Sequence, residues 1–183
     1  PAKSLADFVA YAKANPGKLN YSSAGNGSAG HLAMEYLKLV SGIELAHIPY
    51  RGSGPQLADL VAGQVQVAMN GLPSVISYIR SGKLRASAAG SGERIPILPD
   101  VPTVAESGYP GFETSQWYGL MVPAGTPPAI VERLQQESRK ALATRAVVER
   151  FENDSAVGVG DTPAQFGAYI RAQQAVWKDI VER

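Results

Sequence analysis

Apolar positions at Leu5, Phe8, Val9 and Ala12 fall on one helical face, and Ser4 with Asp7 has capping-box spacing, which predicts a helix over residues 4–14. Asn15-Pro16-Gly17 ends it. Residues 18–23 alternate, with Leu19 and Tyr21 on one side, and run into Ala24-Gly25-Asn26-Gly27-Ser28-Ala29-Gly30, so a strand feeds a glycine-rich loop. Ser28 is placed to cap a helix carrying Leu32, Tyr36, Leu39 and Val40, which Gly42 closes. The same order returns twice. A strand over 45–49, a loop over 51–55 and a helix with Leu57, Leu60 and Val61 are followed by a strand over 65–69, Asn70-Gly71-Leu72-Pro73 and a helix with Val75, Ile76 and Ile79. Residues 84–89 predict a further strand, 95–102 are a proline-rich surface connection, and 103–107 allow a short helix. Residues 112–122, with Trp117 and Tyr118, read as extended and apolar, a pattern in which aromatic side chains are more often core than the lining of a cleft. Two helices complete the chain. One is capped by Thr126 with Pro127 first and carries Ile130, Leu134, Ala141 and Leu142; the other opens at Thr162-Pro163-Ala164-Gln165 and carries Phe166, Ile170, Trp177 and Ile180. Strands alternating with helices through short loops predict an α/β fold with a largely parallel sheet.

Composition narrows the functional classes. With 183 residues, 45% hydrophobic and 18% charged, the chain can bury a core as one or two domains, which excludes disorder as its main state. Seventeen Lys and Arg against sixteen Asp and Glu leave a net charge of +1 without a basic block, so nucleic acid is not an expected partner. No apolar run of about 18 residues is present, and the first residues lack the basic-then-apolar pattern of a secretory leader. A chain that opens on Pro1 is expected to be processed or cut from something longer. Zero cysteines and two histidines predict no disulfides, no thiolate chemistry and no structural zinc, and no cofactor is expected.

Ligands of parallel α/β folds sit outside the carboxyl ends of the strands. Three such ends are polar here: residues 22–28, 50–54 and 70–73. Glycines give a ligand access to the backbone, and the free N–H groups of the following helix favour an anion. Gly25-Asn26-Gly27-Ser28-Ala29-Gly30 also fits the dinucleotide pattern G-x-G-x-x-G between strand and helix. The acidic residue expected after the next strand is replaced by Ile48-Pro49-Tyr50, so Arg51 would leave only an NADP-dependent enzyme as that alternative. A Walker loop is excluded by the missing Gly-Lys-Ser/Thr. Ser28 and His31 are close enough in sequence for a hydrolase pair, although no Gly-x-Ser-x-Gly elbow is present and His31 reads better as a helix-surface or hydrogen-bonding group of the helix start. His47 reads as a packed or edge-strand histidine, and Arg51 as either a carboxylate clamp or a solvated charge. The scattered acidic residues form no two-carboxylate or calcium pattern.

Five stretches together carry a resemblance: Pro-Gly-Lys-Leu-Asn-Tyr at 16–21, Ser-Ala-Gly-Asn-Gly-Ser-Ala-Gly-His-Leu-Ala at 23–33, His-Ile-Pro-Tyr-Arg-Gly at 47–52, Leu-Pro-Asp-Val-Pro-Thr-Val-Ala-Glu-Ser-Gly at 98–108 and Pro-Ala-Gly-Thr-Pro at 123–127. In this order they resemble the tripartite tricarboxylate transporter substrate-binding family, also called Bug receptors, from about Ser4 onward. The resemblance implies a two-lobed, type II periplasmic-binding-protein-like fold and a non-catalytic periplasmic receptor that captures a small organic acid for membrane transporter subunits. It also implies that a signal peptide and most of a first lobe precede the segment matching Pro1. Residues 1–113 would then be the second lobe, and 114–183 the returning segment of the first, with self-association through that segment as an expectation. The implied ligand-binding residues are Ser23, Ala24, Gly25, Asn26, Gly27, Ser28 and Ala29, with His31 in the family's histidine position, and Tyr50, Arg51 and Asn70 alongside. Asn70 stands where relatives often carry aspartate, which speaks against a ligand with an amino group.

Overall fold

The computed structural model describes residues 2–182 and divides into two compact units, Pro1–Gln116 and Trp117–Arg183. In the first unit, α1 (Leu5–Ala14) starts from Ser4, whose hydroxyl accepts from the Asp7 amide while the Asp7 carboxylate accepts from the Ser4 amide. This is the reciprocal cap read from the sequence. Three strands, β1 (Asn20–Ser23), β2 (Ala46–Pro49) and β3 (Val67–Ala68), form a parallel sheet in the order β2-β1-β3. The central strand is enclosed, with Tyr21, Ser22 and Ser23 all buried, because a parallel strand with neighbours on both edges and helices over it has no wet face. Its register sets Tyr21 opposite His47 on one side and opposite Val67 on the other.

The connecting helices are α2 (Ala29–Ser41), α3 (Ser53–Val61) and α4 (Leu72–Arg80). Ser28 caps α2 and Gly42 ends it in the left-handed conformation that glycine adopts without strain, both as expected. The buried face of α2 differs from the expected stripe: Ala33, Met34, Leu37 and Ser41 face inward, while Leu39 and Val40 are exposed. Leucine-rich periodicity allowed either face, and the inner one is that whose smaller residues let the helix lie close to β1. Leu5, Val9 and Ala12 of α1 join Tyr21, Met34, Leu37, Ile43, Leu45, Val104 and Phe112 in one core.

Residues 84–89 form no strand, because only Ala89 finds a partner, a single parallel bridge to Thr103. Residues 103–107 make a turn rather than a helix, held by the Thr103 hydroxyl on the Glu106 amide and the Glu106 carboxylate on the Thr103 amide.

The second unit holds α5 (Pro128–Leu142), α6 (Arg145–Asp154) and α7 (Pro163–Val181). Thr126 is not the cap of α5. Its hydroxyl donates to the Pro123 carbonyl, and the helix starts after Pro127 with no side-chain cap. The α6 helix was not expected from the pattern, whereas α7 has the predicted capping box of Thr162 and Gln165. Residues 112–122 take no strand partner, so Trp117 and Tyr118 are not core residues. Trp117 lies edge-on to Phe166 and Tyr169, and Tyr118 is exposed. Among the described residues, none of α5 or α6 is buried, and no helix is long and apolar enough to cross a membrane.

Candidate functional site

A parallel sheet brings the carboxyl ends of its strands to one edge, and there the first unit gathers its polar loops. The Tyr50 amide donates to the Ser23 carbonyl and the Gly52 amide to the Ala24 carbonyl, each at 3.0 Å, which ties the loop after β2 to the loop after β1. Gly25 lies so near this junction that a Cβ would stand 3.3 Å from the Tyr50 carbonyl oxygen, and its φ of +132° suits glycine alone. On the other side a Cβ at Gly30 would overlap the Met69 carbonyl, so α2 starts hard against the end of β3.

The loop amides divide into occupied and open ones. Gly25 donates to Ser23 Oγ (3.2 Å), Gly27 to His31 Nδ1 (3.2 Å), Ser28 to the Gly25 carbonyl (3.1 Å) and His31 to Ser28 Oγ (3.4 Å). Among the described residues the amides of Asn26, Ala29 and Gly30 have no protein partner, and Asn26 and Ala29 are exposed. Two neighbouring helices start at the same edge from Gly52 and Gly71, neither with a side-chain cap. Three helices thus start at one edge of the sheet, and the open amides concentrate at the start of α2, because the first turn of α4 holds Pro73 and its Ser74 amide donates to the Gly71 carbonyl; the α2 start is the geometry that favours a carboxylate.

The expected site residues are not equivalent. Ala24, Gly25, Asn26, Gly27, Ser28 and Ala29 form the loop. Ser23 is fully buried beneath it and bonds His47 Nε2 through Oγ (2.7 Å). The Tyr50 hydroxyl donates to Asp59 Oδ2 (2.7 Å) on α3, which raises its pKa and leaves its ring and backbone at the edge. Arg51 is exposed and Asn70 half-buried, and neither side chain has a hydrogen bond among the described residues. Ser28 Oγ receives the His31 amide while the His31 ring accepts from Gly27, so the Ser28–His31 hydrolase pair is not formed.

Below the loop lies a cluster that the sequence did not reveal. The rings of Tyr21, His47 and His31 stack in that order, with centroids 4.6 and 4.2 Å apart. The Tyr21 hydroxyl donates to the Glu35 carboxylate, which also pairs with Lys38 at 2.7 Å. Burial, reinforced by the Glu35 bond and charge, pushes the Tyr21 phenol well up. Burial also raises Glu35, but the Lys38 and Tyr21 hydrogen bonds outweigh it and hold the carboxyl below its usual value. Burial, followed by the repulsion His31 exerts when protonated, holds the His47 imidazole below its ordinary value. Gln56, fully buried, donates to the Ser22 carbonyl (3.2 Å), and its Oε1 has no partner among the described residues. Gln116 also belongs to this edge, since a Cβ at Gly71 would overlap its Oε1 at the start of α4.

Comparison with known proteins identifies the family. The model of the tripartite tricarboxylate transporter family receptor matches residues 1–183. Protein BugT of Bordetella pertussis is 40% identical over 178 residues, covering 97% of this chain and 55% of that protein, so the chain spans about half the length of the curated relatives it matches. Among solved structures, R. palustris Rpa4515 with adipate superposes with a TM-score of 0.95 at 33% identity, covering 100% of this chain and 61% of that one. MatC from Rhodopseudomonas palustris with bound malate does so at 0.91 and 32%, covering 99% and 63%. The periplasmic binding protein BugD superposes with a TM-score of 0.94 at 33% identity, covering 100% of this chain and 62% of that one, which extends the α/β reading to a periplasmic binding protein fold. From its loops through to its last helix, the chain belongs to the tripartite tricarboxylate transporter receptor family.

Proposed function

We propose that this chain forms part of a non-catalytic periplasmic receptor that captures a small carboxylate-bearing solute for membrane transporter subunits. The observation that carries the reading is the meeting of three helix N-termini at one sheet edge, with the Asn26, Ala29 and Gly30 amides unclaimed. A hydrogen bond from such an amide to a carboxylate contributes about 1.5–3 kcal/mol, and each helix dipole about 0.3–1 kcal/mol. The relatives with adipate and malate supply the substrate class. Residues 1–113 would form one lobe, and 114–183 the segment returning to the other. In this arrangement Ala24, Gly25, Asn26, Gly27, Ser28 and Ala29 form the carboxylate-facing loop over the buried Ser23, with Tyr50, Arg51 and Asn70 at its border.

Half of a two-lobed site binds weakly. Losing two charge-assisted contacts of about 1.5 kcal/mol each lowers affinity about a hundredfold. Isothermal titration with malate and adipate, run on this chain and on a version extended at its N-terminus to the relatives' length, tests the reading. The expected result is dicarboxylate binding that tightens about a hundredfold in the longer protein, with no uptake of NADPH. Equal affinity in the two would contradict the cleft, and saturable NADPH binding would restore the dinucleotide alternative.

A further inference from the structure

His31 belongs neither to the buried face of α2, which is Ala33, Met34, Leu37 and Ser41, nor to its cap, which is Ser28. Its ring is nevertheless seated, stacked 4.2 Å from His47 with an interplanar angle of 28°, and Tyr21 lies beyond at 6.3 Å. From that seat Nδ1 accepts the Gly27 amide at 3.2 Å. An imidazole nitrogen that accepts carries no proton, so the contact requires the neutral ring with its hydrogen on Nε2. Gly27 has a φ of +75° and open space around it, so no packing holds this point of the loop. Gly25 is tied to Ser23 and Ser28 to Gly25, whereas among the described residues the only bond from the Gly27 amide goes to His31.

We propose that His31 is the positioning residue of the Ser23-to-Ala29 loop: neutral, it fixes the Gly27 amide through Nδ1, and protonated, it releases that amide and changes the geometry offered to a ligand. The charged and titratable groups around the ring are few. Glu35 lies one turn further along α2, paired with Lys38. Tyr21 faces it from β1 and His47 from β2, while on the β3 side Gly30 of the first turn of α2 lies against the uncharged Met69 carbonyl. Burial lowers the His47 imidazole from its ordinary value, and its Nε2 is engaged with Ser23 Oγ at 2.7 Å. Ser23 and His47 anchor the loop at Gly25 by a second route, so protonation of His31 frees one end of the loop without unfolding it. The effect on a solute rests on the receptor reading above; the effect on the loop does not.

The test is nuclear magnetic resonance of the 183-residue chain between about pH 8 and about pH 5, the interval over which imidazoles titrate. At the upper end His31 Nδ1 should show the nitrogen shift of an unprotonated acceptor, and the Gly27 amide should lose its hydrogen-bonded shift and exchange protection in step with His31 titration. His31→Asn keeps an acceptor oxygen near the Nδ1 position without a titrating proton, so it should hold the Gly27 signal flat across the range. His31→Ala should lose the signal's protection at every pH. With malate as the probe, affinity should vary about three- to tenfold with the state of His31 in the wild type and follow the ligand's own titration alone in His31→Asn. A Gly27 amide indifferent both to pH and to His31→Ala, or an Nδ1-protonated ring at pH 8, would overturn the proposal. If Gly27 follows His31 while malate and adipate fail to bind at any pH, the positioning role stands and the receptor reading fails.

Discussion

Gly30 and Gly54 are the second residues of α2 and α3, so replacing each by alanine poses the same helix-propensity change in two different surroundings. At Gly54 a Cβ meets nothing within 4 Å, whereas at Gly30 it falls inside 3.0 Å of the Met69 carbonyl, closer than a Cβ approaches another atom. That carbonyl follows β3, a strand held by only two paired residues, and moving it would disturb the edge where the loops meet. At a tolerant site Gly→Ala stabilises by about 0.4–1 kcal/mol through the unfolded chain. Forced overlap with packed backbone costs about 1–3 kcal/mol. Gly54→Ala should therefore be neutral or stabilising, and Gly30→Ala destabilising by about 1–2 kcal/mol, a gap of about 2 kcal/mol between matched positions. Both tryptophans, Trp117 and Trp177, lie in the second unit, so fluorescence does not report on this change. Urea unfolding by far-UV circular dichroism, with exchange of the Tyr21 amide as a local reporter, does. Equal stability of the two variants would refute the claim that Gly30 is required by close approach to β3.

Three further outcomes follow from the same structure. Ser4→Ala removes the reciprocal cap of α1 and should cost about 1 kcal/mol, while Thr126→Ala, whose hydroxyl reaches Pro123 rather than a helix amide, should stay within about 0.5 kcal/mol in thermal melts. His47 and Glu35 both have folded values below their ordinary ones, so on acidification the unfolded chain takes up protons first and stability falls; the loss should begin below about pH 6.5 for His47 and about pH 4.5 for Glu35. Urea midpoints against pH should lose the first step in His47→Phe and the second in Glu35→Gln. Ile130 and Leu134 on α5 are 50% and 38% exposed, and sedimentation should show concentration-dependent self-association that Ile130→Glu with Leu134→Glu suppresses; a chain that stays monomeric with α5 and α7 protected from exchange would contradict this.

Local signals were legible where one residue decides the backbone. Ser4, Ser28 and Thr162 mark helix starts by their side-chain chemistry, and Gly42 marks an end by its left-handed φ. The β1-loop-α2 unit was therefore readable together with its open amides. Pairing is a different matter, because it depends on residues far apart in the chain. Residues 84–89 have the composition of a strand, yet only Ala89 meets a partner. The α6 helix escaped notice because half of Arg145–Asp154 is charged and its short apolar stripe, Val147, Val148 and Phe151, spans little more than one turn and buries nothing fully. The Tyr21, His47 and His31 stack was hidden for the same reason as the missing strand: it exists only once the parallel register sets residue 21 beside residue 47. Gln56 and Gln116 offered no sequence signal, since a lone glutamine in a helix or loop is ordinary until its surroundings are known.

The central claim is that a carboxylate is held by backbone amides at the start of α2, and amide chemical shifts read this directly. In a titration of the isotopically labelled chain with malate, the Asn26, Ala29 and Gly30 amides should shift together and saturably, with smaller responses at Tyr50 and Asn70 and none along α1. Shifts centred elsewhere, such as on the shallow groove lined by Ile79, Lys83, Arg85 and Val101, or a loop that stays silent while calorimetry reports binding, would contradict the account.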